Sequence, residues 1–139
     1  MEGETTAAQR ENAALVQRAF QLHVGRDVEG VLALYDPDVE VIAGDFLDEG
    51  PFHGHSGFME WSSKWNAKFD FDLRTATPVG ARHVAAELVV SEPRGPQAGR
   101  NRPAGWVVEI RRRLIVHHEL VALPEYAFET ARRRERHGR

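Results

Sequence analysis

Three ionisable side chains stand where strand geometry could aim them at one space: Asp45, His117 and His118. Val39, Val41 and Ala43 alternate with Glu40 and Ile42, and a period of two puts the odd-numbered residues on one face. Asp45 keeps their phase. A carboxylate at the mouth of an apolar cavity loses hydration, its pKa rises, and it can shuttle a proton near neutrality. The same residue also reads as a solvated loop aspartate beside Asp48 and Glu49. His117 and His118 adjoin in a strand pattern, so one faces in and the other out; His118 shares the phase of Val116 and Leu120. An imidazole opposite a carboxylate makes an acid–base pair, although histidine also suits a half-buried sheet surface.

Around these groups lies an aromatic stripe. Phe58, Trp61, Trp65 and Phe69 fall at helical spacing, and with Phe20, Tyr35, Phe52 and Trp106 they could wall a cup for a flat apolar ligand. Tyr35 and Trp106 would add hydrogen-bond donors. The stripe is equally a plain core. His53 and His55 invite a metal reading, but spacing supplies no third ligand, so no metal and no cofactor is expected. Gly95-Pro96-Gln97-Ala98-Gly99 lacks the strand–turn–helix setting and the lysine of a phosphate cradle.

The elements that must position these residues can be read from periodicity. Thr6 to Val24 reads as an amphipathic helix stopped by Gly25, and Asp27 as the cap of a short helix from Val28 to Tyr35 ended by Pro37. A strand over Val39 to Ala43 leads into a loop over Gly44 to His53. A third helix, capped by Ser56, ends near Phe69. Four strands follow, over Phe71–Pro78, His83–Ser91, Gly105–Arg112 and Leu114–Ala122, with Pro93 to Pro103 a loop. A last helix opens at Pro124, and Arg132 to Arg139 reads as a flexible basic tail. This order segregates helices from an antiparallel sheet, an α+β architecture with room for a small molecule between layers.

That order, and particular stretches, resemble the nuclear transport factor 2-like superfamily, in its SnoaL-like, ketosteroid-isomerase-like branch. The stretches are Val31 to Glu40 (VLALYDPDVE), Phe52-His53-Gly54-His55-Ser56-Gly57 before an aromatic helix, the Arg-Gly-rich connection after Ser91, and Glu125-Tyr126-Ala127-Phe128-Glu129. The resemblance implies a cone-shaped barrel, a strongly curved sheet wrapped round the helices. It implies a general base at Asp45, counting back from Gly54. The isomerase's oxyanion tyrosine would fall at Ala19 or Phe20 and its second acid near Trp106, so two of three roles are unfilled. Gly80-Ala81-Arg82 and Arg112-Arg113-Leu114 replace the family's Gly-Asp-Arg and Asp-Gly-Lys turns, which implies an unusual last hairpin. A second subunit over the outer sheet face, at Glu87, Val89, Glu109 and Arg111, is also implied.

Composition narrows the classes. One domain over residues 1–139, without cysteine, excludes a disulfide framework and a thiolate nucleophile. No apolar run approaches the roughly 20 residues that span a bilayer, and the acidic start is unlike a secretory signal. A cytoplasmic location and no membrane partner are expected. Residues 1–60 carry three Arg against twelve acids, while 61–139 carry fifteen Lys and Arg against nine. Complementary halves explain that split. The basic tail has no aromatic interleaving for nucleic acid, so none is expected. The resulting expectation is a homodimeric, cofactor-independent acid–base enzyme (cyclase, isomerase, dehydratase or hydrolase) on a small apolar polyketide- or terpenoid-like metabolite. The competing expectation is a non-catalytic binding or dimerisation module.

Overall fold

The computed structural model describes residues 5–44, 46–96 and 98–137. Helix α1 spans Ala7–Val24 and opens with a capping box. Thr6 accepts from the Gln9 N–H, and the Gln9 side chain accepts from the Thr6 N–H. Helix α2 is shorter than periodicity suggests, Val28–Leu32, although Asp27 caps it as expected through the Gly30 N–H. It stops before Pro37 is reached because Leu34 already accepts from the Ile115 N–H, drawing Tyr35 into strand β1 (Tyr35–Ile42). Pro37 instead sits inside β1, where the register slips between Tyr35 and Glu40 and no ladder bond is lost.

Strand β2 (Phe52–His53) emerges from the expected loop and pairs with β1. Helix α3 (Gly54–Lys68) begins two residues before the expected cap: Ser56 lies within it, and the cap position, His53, makes no side-chain cap bond. His55 holds this start by donating from Nε2 to the Tyr35 carbonyl at 2.8 Å. Strands β3 (Asp70–Val79), β4 (His83–Ser91), β5 (Asn101–Arg111) and β6 (Leu114–Val121) follow the alternating patterns. β5 starts earlier than expected and takes in Pro103. That proline lies beyond the Gly105–Val121 pair where β6 stops, so its missing N–H costs little.

The six strands run in the order β2-β1-β6-β5-β4-β3 as one curved, unclosed sheet. It is not wholly antiparallel: β1 lies parallel to β6, because the chain reaches β6 only after passing through α3 and four other strands. The last hairpin closes on two residues, Arg112 and Arg113, with φ of 53° and 66°. Both arginines therefore occupy the left-handed region that two-residue hairpin turns demand and that Asn-Gly fills more cheaply.

The concave face carries Val39, Val41, Val84, Ala86, Leu88, Val90, Ala104, Trp106 and Val108, and α1 and α3 bury it. The convex face is partly covered by the chain itself. Helix α4 (Pro124–His137) sets Ala127 and Ala131 on Ala85 and Val107. Gly105 permits that approach, since a Cβ there would stand 2.8 Å from the Ala127 Cβ and 2.7 Å from Val121.

Residues Arg132 to His137, expected as a tail, are the final turns of α4. Arg134 bonds Glu119 at 2.6 Å, and Glu135 accepts from the Ala81 and Arg82 N–H groups while contacting His83 Nδ1 at 2.7 Å. Burial works to raise the Glu135 pKa, but those hydrogen bonds outweigh it and hold the carboxyl below its ordinary range. Among the described residues, no helix is long and apolar enough to cross a membrane.

Candidate functional site

Within the cone the residues meet in a tight aromatic core rather than an open cup. Ala19, Phe20 and His23 of α1 face Trp61 and Trp65 of α3. Tyr35, Phe71, Leu88, Trp106, His118 and Leu120 close the sheet side. The void left between them is about 10 Å³, space for at most one water. The expected room for a small molecule is thus nearly filled, because three indoles and two phenyl rings occupy it. Trp61 and Trp65 stack at 5.5 Å, and Phe20 packs edge-on to Phe71 at 5.3 Å.

The open space lies next door. A cleft of about 440 Å³ opens between α1, α2 and α3, walled by Leu22, Val28, Val31, Phe58 and Met59, with Ser62, Ser63 and Asn66 also lining it and Arg26 and Asp27 at the α1–α2 turn. Val28 and Met59 are about half exposed, an apolar rim.

His118, not His117, turns inward. It is 3% exposed, and its Nδ1 lies 2.8 Å from the Tyr35 hydroxyl. Trp61 stands over it at 4.5 Å and Trp106 at 5.1 Å. Burial drives the His118 pKa well below the ordinary imidazole value, with His23 and His117 adding to the lowering. Burial likewise pushes the Tyr35 phenol above its ordinary range. Both groups are therefore neutral at physiological pH. If the phenol donates, His118 carries its proton on Nε2 and offers a donor; if Nδ1 donates, Nε2 is a base. His117 faces out between Glu40 (3.1 Å) and Glu119 (3.2 Å). Its hydrogen bond is the chief cause holding Glu119 below the ordinary carboxylate range; burial opposes it, and Arg134 adds to the lowering.

Asp45 lies outside the described residues. Gly44, just before it, has φ +61°, and a Cβ there would collide with the Leu120 carbonyl oxygen, so only glycine lets β1 end against that wall of the void. Of the expected aromatic wall, Phe20, Tyr35, Trp61, Trp65 and Trp106 border the void, whereas Phe58 borders the outer cleft. Phe52 borders neither; it is buried behind Gly57 beneath the Gly50–His53 turn. Among the described residues, no three His, Asp or Glu side chains gather as a metal-binding group.

Sequence reasoning missed two features. One is His23, which falls within the amphipathic helix read over Thr6 to Val24; its helical spacing from Ala19 and Phe20 was the available signal. The other is a shortage of hydrogen-bond partners. Nε1 of Trp61, Trp65 and Trp106 and Nε2 of His23 and His118 are buried and have no partner among the described residues. Each such group ordinarily costs about 1–3 kcal/mol. All five belong to residues that border the void.

His23 also carries a pH signature. Burial lowers its pKa to about 4; the Asn66 side chain opposes that shift and Arg26 reinforces it. The folded value lies below the unfolded one, so the unfolded chain binds the proton first as pH falls. Stability is then full above about pH 6.5 and declines toward about pH 4, with a loss on the order of 3 kcal/mol from this group. His118 adds in the same direction. His23→Leu should flatten the decline in urea-unfolding free energy across that window; an unchanged slope would show that the imidazole is not held neutral.

No family model and no curated protein matches the chain. Solved structures do. TerC, co-crystallised with polyporic acid, superposes with a TM-score of 0.70 at 16% identity, covering 87% of this chain and 98% of that one. A protein provisionally named a polyketide cyclase, from Xanthomonas campestris pv. campestris, gives 0.67 at 20% identity, covering 90% and 99%. An NTF2-like protein from Burkholderia xenovorans LB400 gives 0.65 at 17%, covering 88% and 97%. Likeness at this level of identity speaks for architecture, and the architecture is plain: the chain has the NTF2-like fold, the cone that its sequence resemblance implied.

Proposed function

We propose that the protein binds a small, flat, largely apolar molecule, polyketide- or terpenoid-like, and moves a proton on it without a cofactor. The observation that carries this reading is the set of five buried nitrogens, on His23, Trp61, Trp65, Trp106 and His118, without partners among the described residues round one void, beside a largely apolar cleft. Buried polar groups ordinarily have a partner, so these leave a place for one that the described residues do not supply. A fold shared with a protein crystallised with polyporic acid, and with one provisionally named a polyketide cyclase, supports the ligand class.

In this reading Asp45 is the proton-transfer group. Its neighbour Gly44 abuts Leu120, which borders the void two residues from His118. The Tyr35–His118 pair relays or returns the proton, and the indole N–H of Trp106 steadies an oxyanion as charge develops. Neutral groups suit that task, since a donor held neutral stabilises new negative charge without first surrendering its proton. One observation favours the second reading, a binding module without chemistry: the void as it stands admits no more than a water.

Exchange of the α-protons of 1-tetralone with D2O, followed by NMR, separates the two. An acid–base enzyme accelerates it over buffer, and Asp45→Asn abolishes the acceleration with a nearly unchanged melting temperature. An inert wild type that still binds the ketone would leave the binding module. A second copy is proposed to pack on the part of the convex face that α4 leaves open, at Thr75, Glu87 and Val89. Sedimentation at micromolar concentration should then show a dimer, and a monomer would remove that element.

A further inference from the structure

His23 is the one described residue that borders both spaces, the outer cleft and the inner void. Its ring lies 5.6 Å from Trp61 and 5.4 Å from Phe71, inside the aromatic wall, and 6.2 Å from Phe58 on the cleft side. It hangs from the last turn of α1, two residues before the Gly25 cap. We propose that cleft and void are the two ends of one ligand site divided by the His23 side chain, and that the ligand which joins them leads with a hydrogen-bond acceptor and trails a flat apolar body. This rests on the small-molecule reading above and adds to it a gate and a polarity.

The polarity follows from the chemistry of the inner end. An indole nitrogen can only donate, and three of them (Trp61, Trp65 and Trp106) stand there without acceptors among the described residues. A carbonyl or phenolate oxygen would answer them. An amine would add donors to donors. The outer end favours an apolar body: Leu22, Val28, Val31, Phe58 and Met59 offer hydrocarbon, Ser62, Ser63 and Asn66 add polar groups, and Arg26 and Asp27 supply one charge of each sign at the α1–α2 turn.

The gate follows from volume. About 10 Å³ holds no carbonyl with its attached carbons, so the leading end enters only when something in the partition moves. Trp61 and Trp65 are fully buried within α3, and Phe58 packs at 4.4 Å on Tyr35. His23 reaches both spaces, and rotation of its side chain joins them with no change in the backbone.

The chain's only tryptophans are the three that border the void, and Met59, on the cleft rim, is one of two methionines. Indole N–H and methionine methyl resonances therefore report the two ends separately. The probes are 1-tetralone and tetralin, matched in shape, of which only the ketone carries an acceptor. Tetralone should shift at least one indole N–H downfield, saturably, together with the Met59 methyl; tetralin should move the methyl alone. His23→Ala should bind tetralone about tenfold more tightly and leave tetralin unchanged, and the wild-type comparison stands alone if that variant does not fold. Indole shifts of equal size from both compounds, or a folded His23→Ala with unaltered tetralone affinity, would overturn the proposal. Tetralone moving only the Met59 methyl would sink the joined site while sparing the cleft, and no response from either reporter would take the small-molecule reading down as well.

Discussion

Donors sealed in an aromatic core short of acceptors are the constraint on which this structure turns. Trp61, Trp65 and Trp106 contribute the bulk that fills the cone, and each brings an N–H that the described residues leave unanswered. Apolar burial favours these rings inside, at roughly 25 cal/mol for each Å² removed from water. Hydrogen bonding opposes it locally. The compromise is a core that is dense, dry and short of oxygen. His118 and Tyr35 resolve part of the conflict by bonding each other. Burial keeps both neutral, and the mutual bond fixes the imidazole against Trp106 and Trp61.

The frame round this core is stiffened from outside. Helix α4 lies on the convex face, and its acid–base contacts reach two separate strands: Arg134 to Glu119 on β6, and Glu135 to the β3–β4 turn and His83. Gln9 and Asn12 of α1 donate to the carbonyls of Gly80 and Ala81 in that same turn, so helices on opposite faces grip one hairpin. By contrast, the side between α1, α2 and α3 is closed only by side chains.

Much of this frame is legible in sequence because period and punctuation act locally. Asp27, Thr6, Pro124 and the Gly80 turn all do what their chemistry predicts. The inward phase of Val39, Val41, Ala43 and His118 follows from alternation alone. Where reading failed, a distant partner decided. Tyr35 leaves its expected helix because β6 offers Leu34 a hydrogen bond, and Arg132 to His137 stay helical because Glu119 and His83 hold them. The site was half visible. Five of the eight expected aromatic residues border the void, but whether such rings leave a cavity or fill it depends on their mutual packing, which spacing does not encode. His23 was half hidden for the same reason: helical spacing puts it on the face of Ala19 and Phe20, but does not show that it borders both the void and the cleft.

The most direct test of the account is a high-resolution crystal structure of the protein as purified, inspected at the three indole nitrogens. The account predicts an oxygen, from water or from a retained molecule, within hydrogen-bonding distance of at least two of them. Indoles turned to bond protein carbonyls around an empty, apolar void would contradict it.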